Sequence, residues 1–392
     1  MKIAQINATC GLGSTGKICV AVSRILSSKG IENIILYTQG YSDFENGIKY
    51  SDEKYKKIQA LKSRIYGNYG FNSEYATIKL INELKKFSPD IVHLHNIHAH
   101  DCNIQKLFEY LKSSHIKVYW TFHDCWAFTG YCTHFTIQKC DKWMDHCFDC
   151  PVYRNWSWFC DRSSYTFDKK KRILSSLNLT IVTPSVWLKS LVEKSFFKDK
   201  KIVVINNGID LEVFKPTINE SIREKYGIKS KHIILGVASI WNYEKGIDAF
   251  VKLSQMLDDE YTIVLVGTDD NIDKELPSEL ISIHRTYDSK ELASIYSCAD
   301  VFFNPTREEN YPTVNMEAIA CGTPVVTYNT GGSGEMITPD IGCVIEPEDL
   351  ESAVAAIKTI CENKKIYQEK CMEYAKNYDE KNRYNEYIRL YK

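Results

Sequence analysis

Short apolar runs alternate with longer amphipathic stretches along the whole chain. The apolar runs predict strands at residues 3–6, 34–37, 91–94, 118–122, 180–183 and 202–205, and again at residues 233–237, 262–266, 301–304 and 324–328. Helical periodicity lies between them, for example at residues 18–29, 75–87 and 103–113. Continuous apolar strands separated by helices are typical of parallel sheets covered on both faces. Because the pattern runs twice, it predicts an α/β protein with two doubly wound domains.

The segment at residues 206–216 separates the two halves of this pattern. Asn206, Asn207 and Gly208 suit a turn, and Pro216 prevents a helix from continuing. A charged helix is predicted at residues 220–226, before the next strand. We therefore predict a first domain over residues 1–210 and a second over residues 211–376. Residues 125–160 contain a cysteine-rich stretch without a regular period, which predicts an inserted loop region.

Composition excludes several classes of protein and adds a charge asymmetry. The 392 residues are 44% hydrophobic and 25% charged, which excludes collagen-like, low-complexity and wholly disordered chains. The net charge of −1 argues against a nucleic-acid-binding protein. Residues 1–212 carry 29 Lys and Arg against 20 Asp and Glu, whereas the remainder carries 20 against 30. The basic half predicts contact with an anionic partner, such as a membrane surface or a phosphate-bearing substrate; the alternative is surface charge without a function.

A glycine-rich loop, GLGSTGK, follows the first predicted strand. Gly11, Gly13 and Gly16 match a dinucleotide-binding pattern, and Gly11, Gly16 and Lys17 match a phosphate-binding loop. The second strand does not end in the acid that a dinucleotide site requires, and Ile18 replaces the Ser or Thr of a phosphate-binding loop. A tight strand-to-helix turn is the structural alternative. In each case the loop lets an anion approach a helix N-terminus.

An acidic pair stands in the segment REENYPTVNMEAIACGTPVV. Glu309 and Glu317 are eight residues apart, and Pro312 favours a helix that begins at about residue 313 and ends at Gly322. Glu309 is then in the loop before the helix and Glu317 about one turn into it. Amide groups near Thr313 and Val314 would face an anion between the two acids. This arrangement fits a sugar nucleotide; the alternative is two solvated carboxylates beside an amphipathic helix.

Several motifs in this order give the chain a family resemblance. They are the glycine loop, DIVHLHN, TFHD, TPS near Ser185, NNGID, EKG at Lys245 and the acidic segment. Together they resemble the family-4 retaining glycosyltransferases, which have the GT-B fold. The resemblance implies two Rossmann-like domains facing each other across a cleft, with residues 377–392 as a helix that packs back on the first. It also implies transfer of a sugar from a nucleotide diphosphate to a hydroxyl with retained anomeric configuration.

The resemblance assigns roles to particular residues. Glu309 resembles the acid that contacts the donor sugar, and Glu317 resembles the acid that binds the nucleotide ribose. Lys245 resembles the lysine that neutralises the diphosphate, and His123 the histidine near the reacting carbon. The predicted catalytic residues are His123, Lys245 and Glu309, and the predicted donor-binding residues are Gly13, Lys245, Arg307, Glu309, Asn310, Tyr311, Pro312, Thr313, Val314 and Glu317.

One departure from the family concerns phosphate binding. The family commonly has an arginine shortly before the EKG lysine, where this chain has Ser239, Ile240 and Trp241. The positive charge of that arginine is either lacking in this chain or supplied by Lys17, Arg285 or Arg307. The sequence contains no D-x-D motif, so we expect no cofactor or catalytic metal, because the helix N-terminus and Lys245 can stabilise the leaving group.

Cysteines and histidines offer two candidate metal sites. Cys132, Cys140, Cys147 and Cys150 end in a C-x2-C spacing that suits a structural zinc ion. Free thiols and disulfides are the alternatives. Four of the ten histidines lie close together in the segment DIVHLHNIHAH, namely His93, His95, His98 and His100. No cysteine or carboxylate is spaced to complete a metal site there, which favours His95 and Asn96 lining a ligand cleft at a strand end.

These observations predict a retaining glycosyltransferase that uses a nucleotide sugar, with UDP preferred to GDP. The expected acceptor is a glycan or a lipid-diphosphate-linked sugar, in synthesis of a surface polysaccharide such as capsule or O-antigen. No apolar run reaches 18 residues and no N-terminal leader is evident, so we expect a cytoplasmic protein with peripheral attachment to the anionic inner membrane. The alternatives are an inactive sugar-nucleotide-binding scaffold and another GT-B enzyme, such as an epimerase.

Overall fold

A computed structural model describes residues 1–98, 100–217, 221–286 and 288–392. The chain divides into two units, one formed by Met1–Asn206 with Arg383–Lys392 and the other by Asn207–Asn382. The division falls four residues before the boundary predicted after residue 210. No helix within the described ranges is both long and apolar enough to cross a membrane.

The first unit is built on a seven-stranded parallel sheet. Its strands are β1 (Lys2–Ile6), β2 (Glu32–Tyr37), β3 (Gly47–Lys49), β4 (Ile91–Leu94), β5 (Lys117–Thr121), β6 (Leu179–Thr183) and β7 (Lys201–Val204). Their order in the sheet is β3-β2-β1-β4-β5-β6-β7. The helices are α1 (Gly13–Ser28), α2 (Glu53–Tyr66), α3 (Glu74–Phe87), α4 (Ile104–Ser114), α5 (Ser163–Leu174) and α6 (Val186–Lys194). The sequence predicted every strand of this sheet except β3.

The second unit is built on a six-stranded parallel sheet. Its strands are β8 (His232–Val237), β9 (Tyr261–Val266), β10 (Ile281–Ile283), β11 (Val301–Asn304), β12 (Val325–Tyr328) and β13 (Gly342–Ile345), in the order β10-β9-β8-β11-β12-β13. The helices are α7 (Ser221–Lys225), α8 (Ile247–Ser254), α9 (Asp270–Asp273), α10 (Ser289–Cys298), α11 (Thr313–Ala320), α12 (Leu350–Glu362) and α13 (Lys364–Ala375). The sequence missed β10 and β13. The predicted start of the α7 helix, Glu220, lies outside the described residues.

Both sheets reverse their strand order at one place. The reversal lies between β1 and β4 in the first unit and between β8 and β11 in the second. Ligands of open α/β sheets bind at such a reversal, beyond the carboxyl ends of the strands. The loops that leave these four strands contain the glycine loop, His95, Lys245 and Glu309, so the topology places every one of these predicted residues at a reversal.

The helix predicted over residues 377–392 is present, but it begins at Glu380 rather than at residue 377. A short 3-10 turn, Lys376–Tyr378, follows α13, and the last helix, α14 (Glu380–Tyr391), begins after it. The backbone N–H of Ile209 donates to the Tyr378 carbonyl at 2.8 Å, and the Glu380 N–H donates to the Ile209 carbonyl at 3.0 Å. These bonds engage backbone groups that a continuous helix would require. Beyond the break, Tyr384, Tyr387 and Tyr391 join the apolar core of the first unit.

The inserted region at residues 125–160 contains short 3-10 turns and irregular backbone. The turns are Trp126–Phe128, Lys142–Met144 and Tyr153–Asn155. Lys170, a fully buried residue of α5, contacts this region through its ammonium group. Its ammonium donates to the Trp126 carbonyl at 2.6 Å and to the Thr129 carbonyl at 3.1 Å, and lies 3.7 Å from the Trp126 ring centroid. Burial lowers the pKa of Lys170, and these acceptors compensate for lost hydration.

Candidate active site

Lys245 and Glu309 meet at the strand reversal of the second sheet. Lys245 lies in the loop between β8 and α8, and Glu309 in the loop between β11 and α11. The Lys245 ammonium lies 2.9 Å from Oε2 of Glu309, while Oε1 of Glu309 accepts from the Asn310 N–H at 3.0 Å. Both side chains are partly exposed, at 35% and 23%. The structure therefore places a cation and a carboxylate side by side where a ligand can reach them.

Two glycines allow these loops to come close, and the sequence analysis did not identify them as site residues. Gly246 and Gly331 both have positive φ, at 75° and 59°. A Cβ atom on Gly246 would overlap the Pro305 carbonyl, and one on Gly331 would overlap the Glu309 carbonyl. Glycine is therefore required at both positions by conformation and by space. For Gly331, the adjacent glycines in the segment TYNTGGSGE are the feature of the sequence that could have indicated a close approach of the backbone.

Helix α11 begins at Thr313, as the sequence predicted, with Pro312 in the N-cap position. Asn310 and Tyr311 before it are buried, and Thr313 and Val314 at its start are half-buried. Glu317, one turn into the helix, accepts a hydrogen bond from the Tyr296 hydroxyl at 3.2 Å. Gly322 follows the helix with φ of 80°. Glu309 and Glu317 thus flank the N-terminal end of one helix.

Arg307 was predicted to bind the donor, and the structure shows its guanidinium engaged by other residues of the second unit. Its guanidinium makes bidentate contacts with Asp248, at 2.7 and 2.9 Å, and with Glu348, at 2.5 and 3.0 Å. A further N–H donates to the Tyr243 carbonyl. All five donors are engaged, and the residue is only 6% exposed, so no donor is left for a phosphate. Arg307 instead ties the Glu309 loop to the Lys245 loop, which makes it a positioning residue.

The other two candidates for the missing phosphate contact are exposed. Arg285 follows the edge strand β10, two strands away from β8 in the sheet. Lys17 lies on α1, just beyond the glycine loop. That loop is closed by a bond from the Gly11 N–H to the Gly16 carbonyl at 3.1 Å, and α1 begins at Gly13. Gly13 is exposed, with no heavy atom within 4 Å of a Cβ built on it, so a ligand can approach its backbone.

Three histidines form a row on adjacent strands of the first sheet. His93 lies on β4, His95 follows it, and His123 follows the neighbouring β5. Nδ1 of His95 lies 3.1 Å from Nε2 of His123, and His93 is held between Thr121 Oγ1 at 2.8 Å and the Tyr391 hydroxyl at 2.6 Å. Burial lowers the pKa of His93 to about 3 and that of His123 to about 4. All three imidazoles are therefore neutral at neutral pH, because burial also lowers the pKa of His95.

His95 and His123 line a pocket at the carboxyl ends of β4 and β5. His95, Asn96, His98, His123 and Asp124 are among its lining residues. Nε2 of His95 is buried there without a hydrogen-bond partner. His98 Nε2 lies 2.8 Å from Asp124; burial alone would raise the pKa of this acid, but the charge and hydrogen bond of His98 lower it to about 2. The pocket thus combines the neutral imidazoles of His95 and His123 with the His98–Asp124 pair.

Sequence comparison agrees with this architecture. Residues 16–213 match the family model described as "Glycosyltransferase Family 4", and residues 218–378 match "Glycosyl transferases group 1". The chain belongs to glycosyltransferase family 4. The predicted family is therefore confirmed, and so is the predicted α/β class with two parallel-strand sheets.

This glycosyltransferase is similar to several known proteins. It is 22% identical to the putative colanic acid biosynthesis glycosyl transferase WcaC of Escherichia coli, over 91% of this chain and 90% of that protein. It is 27% identical, over 50% of this chain and 55% of the relative, to the N,N'-diacetylbacillosaminyl-diphospho-undecaprenol alpha-1,3-N-acetylgalactosaminyltransferase of Campylobacter jejuni. Its fold resembles that of Anabaena HepE, solved in complex with UDP-glucose, with a TM-score of 0.69 at 12% identity over 100% of this chain and 98% of HepE.

The glycosyltransferase brings its four clustered cysteines to one pocket of the inserted region. Cys132, Cys140, Cys147 and Cys150 line it, and all four thiols are free. A hydrogen bond from Cys132 lowers the pKa of Cys150 to about 7, and the Gly130 N–H donates to the Cys147 sulfur at 3.2 Å. Among the described residues, no group of three or more His, Cys, Asp or Glu side chains is arranged to hold a metal ion. The structure gives no support to the predicted zinc site, which stays a prediction.

Proposed function

We propose that this glycosyltransferase moves a sugar from a nucleotide diphosphate to a hydroxyl of a glycan acceptor, with retention of anomeric configuration. The observation that carries the proposal is the Lys245–Glu309 pair beside the N-terminal end of α11. A diphosphate requires positive charge and free N–H groups, whereas a sugar requires hydrogen-bond acceptors. The loops after β8 and β11 present all three kinds of group.

In the proposed reaction, the bond between the anomeric carbon and the diphosphate breaks as a bond to the acceptor oxygen forms. The acceptor proton passes to the departing phosphate oxygen, so charge and atoms balance without a protein nucleophile. Lys245 and the first amides of α11 stabilise the negative charge on the diphosphate. Glu309 accepts hydrogen bonds from the sugar hydroxyls, and Glu317 accepts from the ribose.

His123 is proposed to contact the donor sugar as a neutral imidazole. Its low pKa matters because the reacting sugar gains positive charge in the transition state. An imidazolium would oppose that charge, whereas a neutral ring can exchange a hydrogen bond with a sugar hydroxyl. The hydrogen bond between Nδ1 of His95 and Nε2 of His123 fixes the ring orientation.

The substrate proposals rest on the relatives. UDP is the preferred nucleotide, with GDP second, and HepE is a GT-B protein solved with UDP-glucose. The acceptor is a glycan or a lipid-diphosphate-linked sugar in synthesis of a surface polysaccharide, in line with the names of WcaC and the Campylobacter enzyme. Peripheral association with an anionic membrane through the basic first unit completes the proposal.

Thermal-shift measurements with UDP, GDP, ADP, ATP and NAD test the donor site. A nucleotide at one hundred times its Kd stabilises the protein by about 2.7 kcal/mol. We expect a shift with UDP or GDP that is lost in Lys245→Ala and strongly reduced in Glu317→Gln. Glu351→Gln is the matched control, because Glu351 occupies the first turn of α12 in the same unit. A shift with only ATP or NAD would overturn the proposal.

A further inference from the structure

Helix α2 has its polar side turned toward the protein. Gln59 and Ser63 are its buried residues. Ser63 Oγ accepts from the Asn72 side chain at 2.6 Å, and Gln59 accepts from the Ser73 N–H at 3.4 Å. Lys56, on the same side, lies 3.5 Å from the buried Asp101. The buried residues of α2 are therefore polar, and apart from Tyr55, which packs against the apolar core, its large apolar residues lie outside that core.

The apolar residues of α2 form a stripe on its solvent side. Ile58, Leu61 and Ile65 are 53%, 49% and 37% exposed, and their spacing of three and then four residues places them on one helix face. Tyr66, at the end of the helix, is 59% exposed. Scattered surface apolar residues are common, but an ordered outward stripe marks an interaction surface.

An exposed aromatic pair lies at the end of this stripe. The Trp158 N–H donates to the Arg64 carbonyl at 2.8 Å, and Arg162 donates to the Tyr66 carbonyl at 3.2 Å, so the inserted region is fixed to the C-terminal turn of α2. Trp158 is 52% exposed and Phe159 is 72% exposed. We name the combined surface, formed by Ile58, Leu61, Ile65, Tyr66, Trp158 and Phe159, the α2 face.

Basic side chains border the α2 face. Lys54, Lys57 and Lys62 are exposed, and residues 53–66 contain five Lys and Arg but only one acid. Such charge repels a second copy of the same surface and attracts anionic lipid headgroups. An apolar stripe with aromatic residues and a lysine border is the pattern of a helix that lies in a membrane interface.

We propose that the α2 face inserts into the headgroup layer of an anionic bilayer and is the membrane-binding surface of this enzyme. The inference deepens the proposed function, on which it rests for the lipid-linked acceptor. It assigns the contact to particular residues of α2 and of the inserted region, which the overall charge of the first unit does not do. The apolar residues enter the layer, while the lysines bind the headgroups around them.

Sedimentation of the full-length protein with vesicles tests this assignment. Vesicles of 30% phosphatidylglycerol in phosphatidylethanolamine are compared with pure phosphatidylcholine, at low and high salt. We expect the protein to bind the anionic vesicles at least tenfold more tightly, and binding to weaken at high salt. The triple variant Ile58→Ser, Leu61→Ser, Ile65→Ser should lose at least tenfold in binding. The matched control changes Met256, Ile366 and Met372, exposed residues of the second unit, to Ser and should bind like the parent protein.

Trp158 offers a second, local readout. Its fluorescence should shift to shorter wavelength on binding the anionic vesicles, and Trp158→Phe should remove most of the shift while binding persists. Equal vesicle binding by the parent protein and the α2 triple variant would overturn the inference. It would also be overturned if the parent protein formed a dimer that the triple variant does not form. The thermal shifts that nucleotides produce in the parent protein and in Lys245→Ala are measured without vesicles. An error in the proposed donor site can therefore be distinguished from an error in the proposed membrane-binding surface.

Discussion

The carbonyl oxygen of Glu309 occupies the space that a Cβ atom on Gly331 would fill. Gly331→Ala therefore forces the Glu309 loop to move and also places alanine at a φ of 59°. We expect the second unit to lose about 3 kcal/mol of stability, given the combined clash and strain. Nucleotide binding should weaken at least tenfold, because Glu309 and Lys245 depend on this loop. Thermal melts with and without UDP measure both effects.

Gly334→Ala is the matched control for this substitution. Gly334 lies three residues further on, where a Cβ atom would meet only side-chain atoms, of Val344 at 3.3 Å and of Asn329 at 3.7 Å. We expect a small change in melting temperature and unchanged nucleotide binding. If Gly331→Ala binds UDP as tightly as Gly334→Ala does, the loop does not position the donor site.

Arg307→Lys distinguishes a positioning residue from a phosphate ligand. Lysine has three donors at one point and cannot reproduce two bidentate contacts, so we expect a loss of about 2 kcal/mol in the protein without ligand. Donor affinity should fall as a consequence of the loosened loops. Arg285→Lys, an exposed change in the same unit, should leave the melting temperature unchanged. A normal melting temperature combined with lost nucleotide binding would instead show that Arg307 contacts the phosphate directly.

The buried histidines predict a loss of stability in mild acid. His93, His95 and His123 are neutral in the folded protein, because burial lowers each pKa below the ordinary value of 6.5. When the chain unfolds below pH 6.5 these imidazoles take up protons, so stability is lost as the pH falls through 6.5 toward the folded values. Between pH 7 and pH 5, His93 and His123 each contribute about 2 kcal/mol of this loss, and His95 adds to it in the same direction.

Urea titrations at pH 7, 6 and 5, followed by tryptophan fluorescence, measure that loss. Six of the seven tryptophans lie in residues 1–206, so this signal reports mainly the first unit. His95→Gln should reduce the pH dependence, since one of the three groups no longer titrates. His115→Asn, a change at an exposed histidine, should keep the full dependence. A parent protein equally stable at pH 5 and pH 7 would contradict the neutral, buried state of the histidines.

Cys150 is expected to be the most reactive thiol of the cysteine pocket. The hydrogen bond from Cys132 lowers its pKa to about 7, whereas burial raises that of Cys147 to about 11. Because the thiolate is the nucleophile, iodoacetamide at pH 7.5 should label Cys150 about a hundredfold faster than Cys147. Peptide mass spectrometry gives both rates. If all four thiols were equally protected from iodoacetamide and the purified protein contained one equivalent of zinc, this expectation would be contradicted and the metal site favoured.

The sequence predicted the interior of each sheet better than its edges. Every strand that it missed, β3, β10 and β13, lies at the edge of a sheet and has three or four residues. Interior strands are covered on both faces and therefore leave continuous apolar runs in the sequence. An edge strand such as β3, with the sequence Gly-Ile-Lys, leaves a signal too short to separate from a loop.

Within the site, local patterns were more informative than pairings between distant residues. The positions of Glu309 and Glu317 around α11 followed from Pro312 and Gly322, which are local signals. The engagement of Arg307 by Asp248 and Glu348 depends on three segments that are distant in the sequence, and no spacing in the sequence encodes it. The hydrogen bond between His95 and His123 likewise depends on β4 and β5 being neighbours in the sheet.

Helix α14 also determines the order in which the protein can be completed during translation. Tyr384, Tyr387 and Tyr391 pack in one core cluster with Ile3 and Ile91, so segments on both sides of the second unit in the sequence share that core. The ribosome makes the entire second unit before it makes these tyrosines. The core of the first unit therefore cannot be completed until the second unit has been synthesised, and until then part of the apolar face that α14 covers stays open.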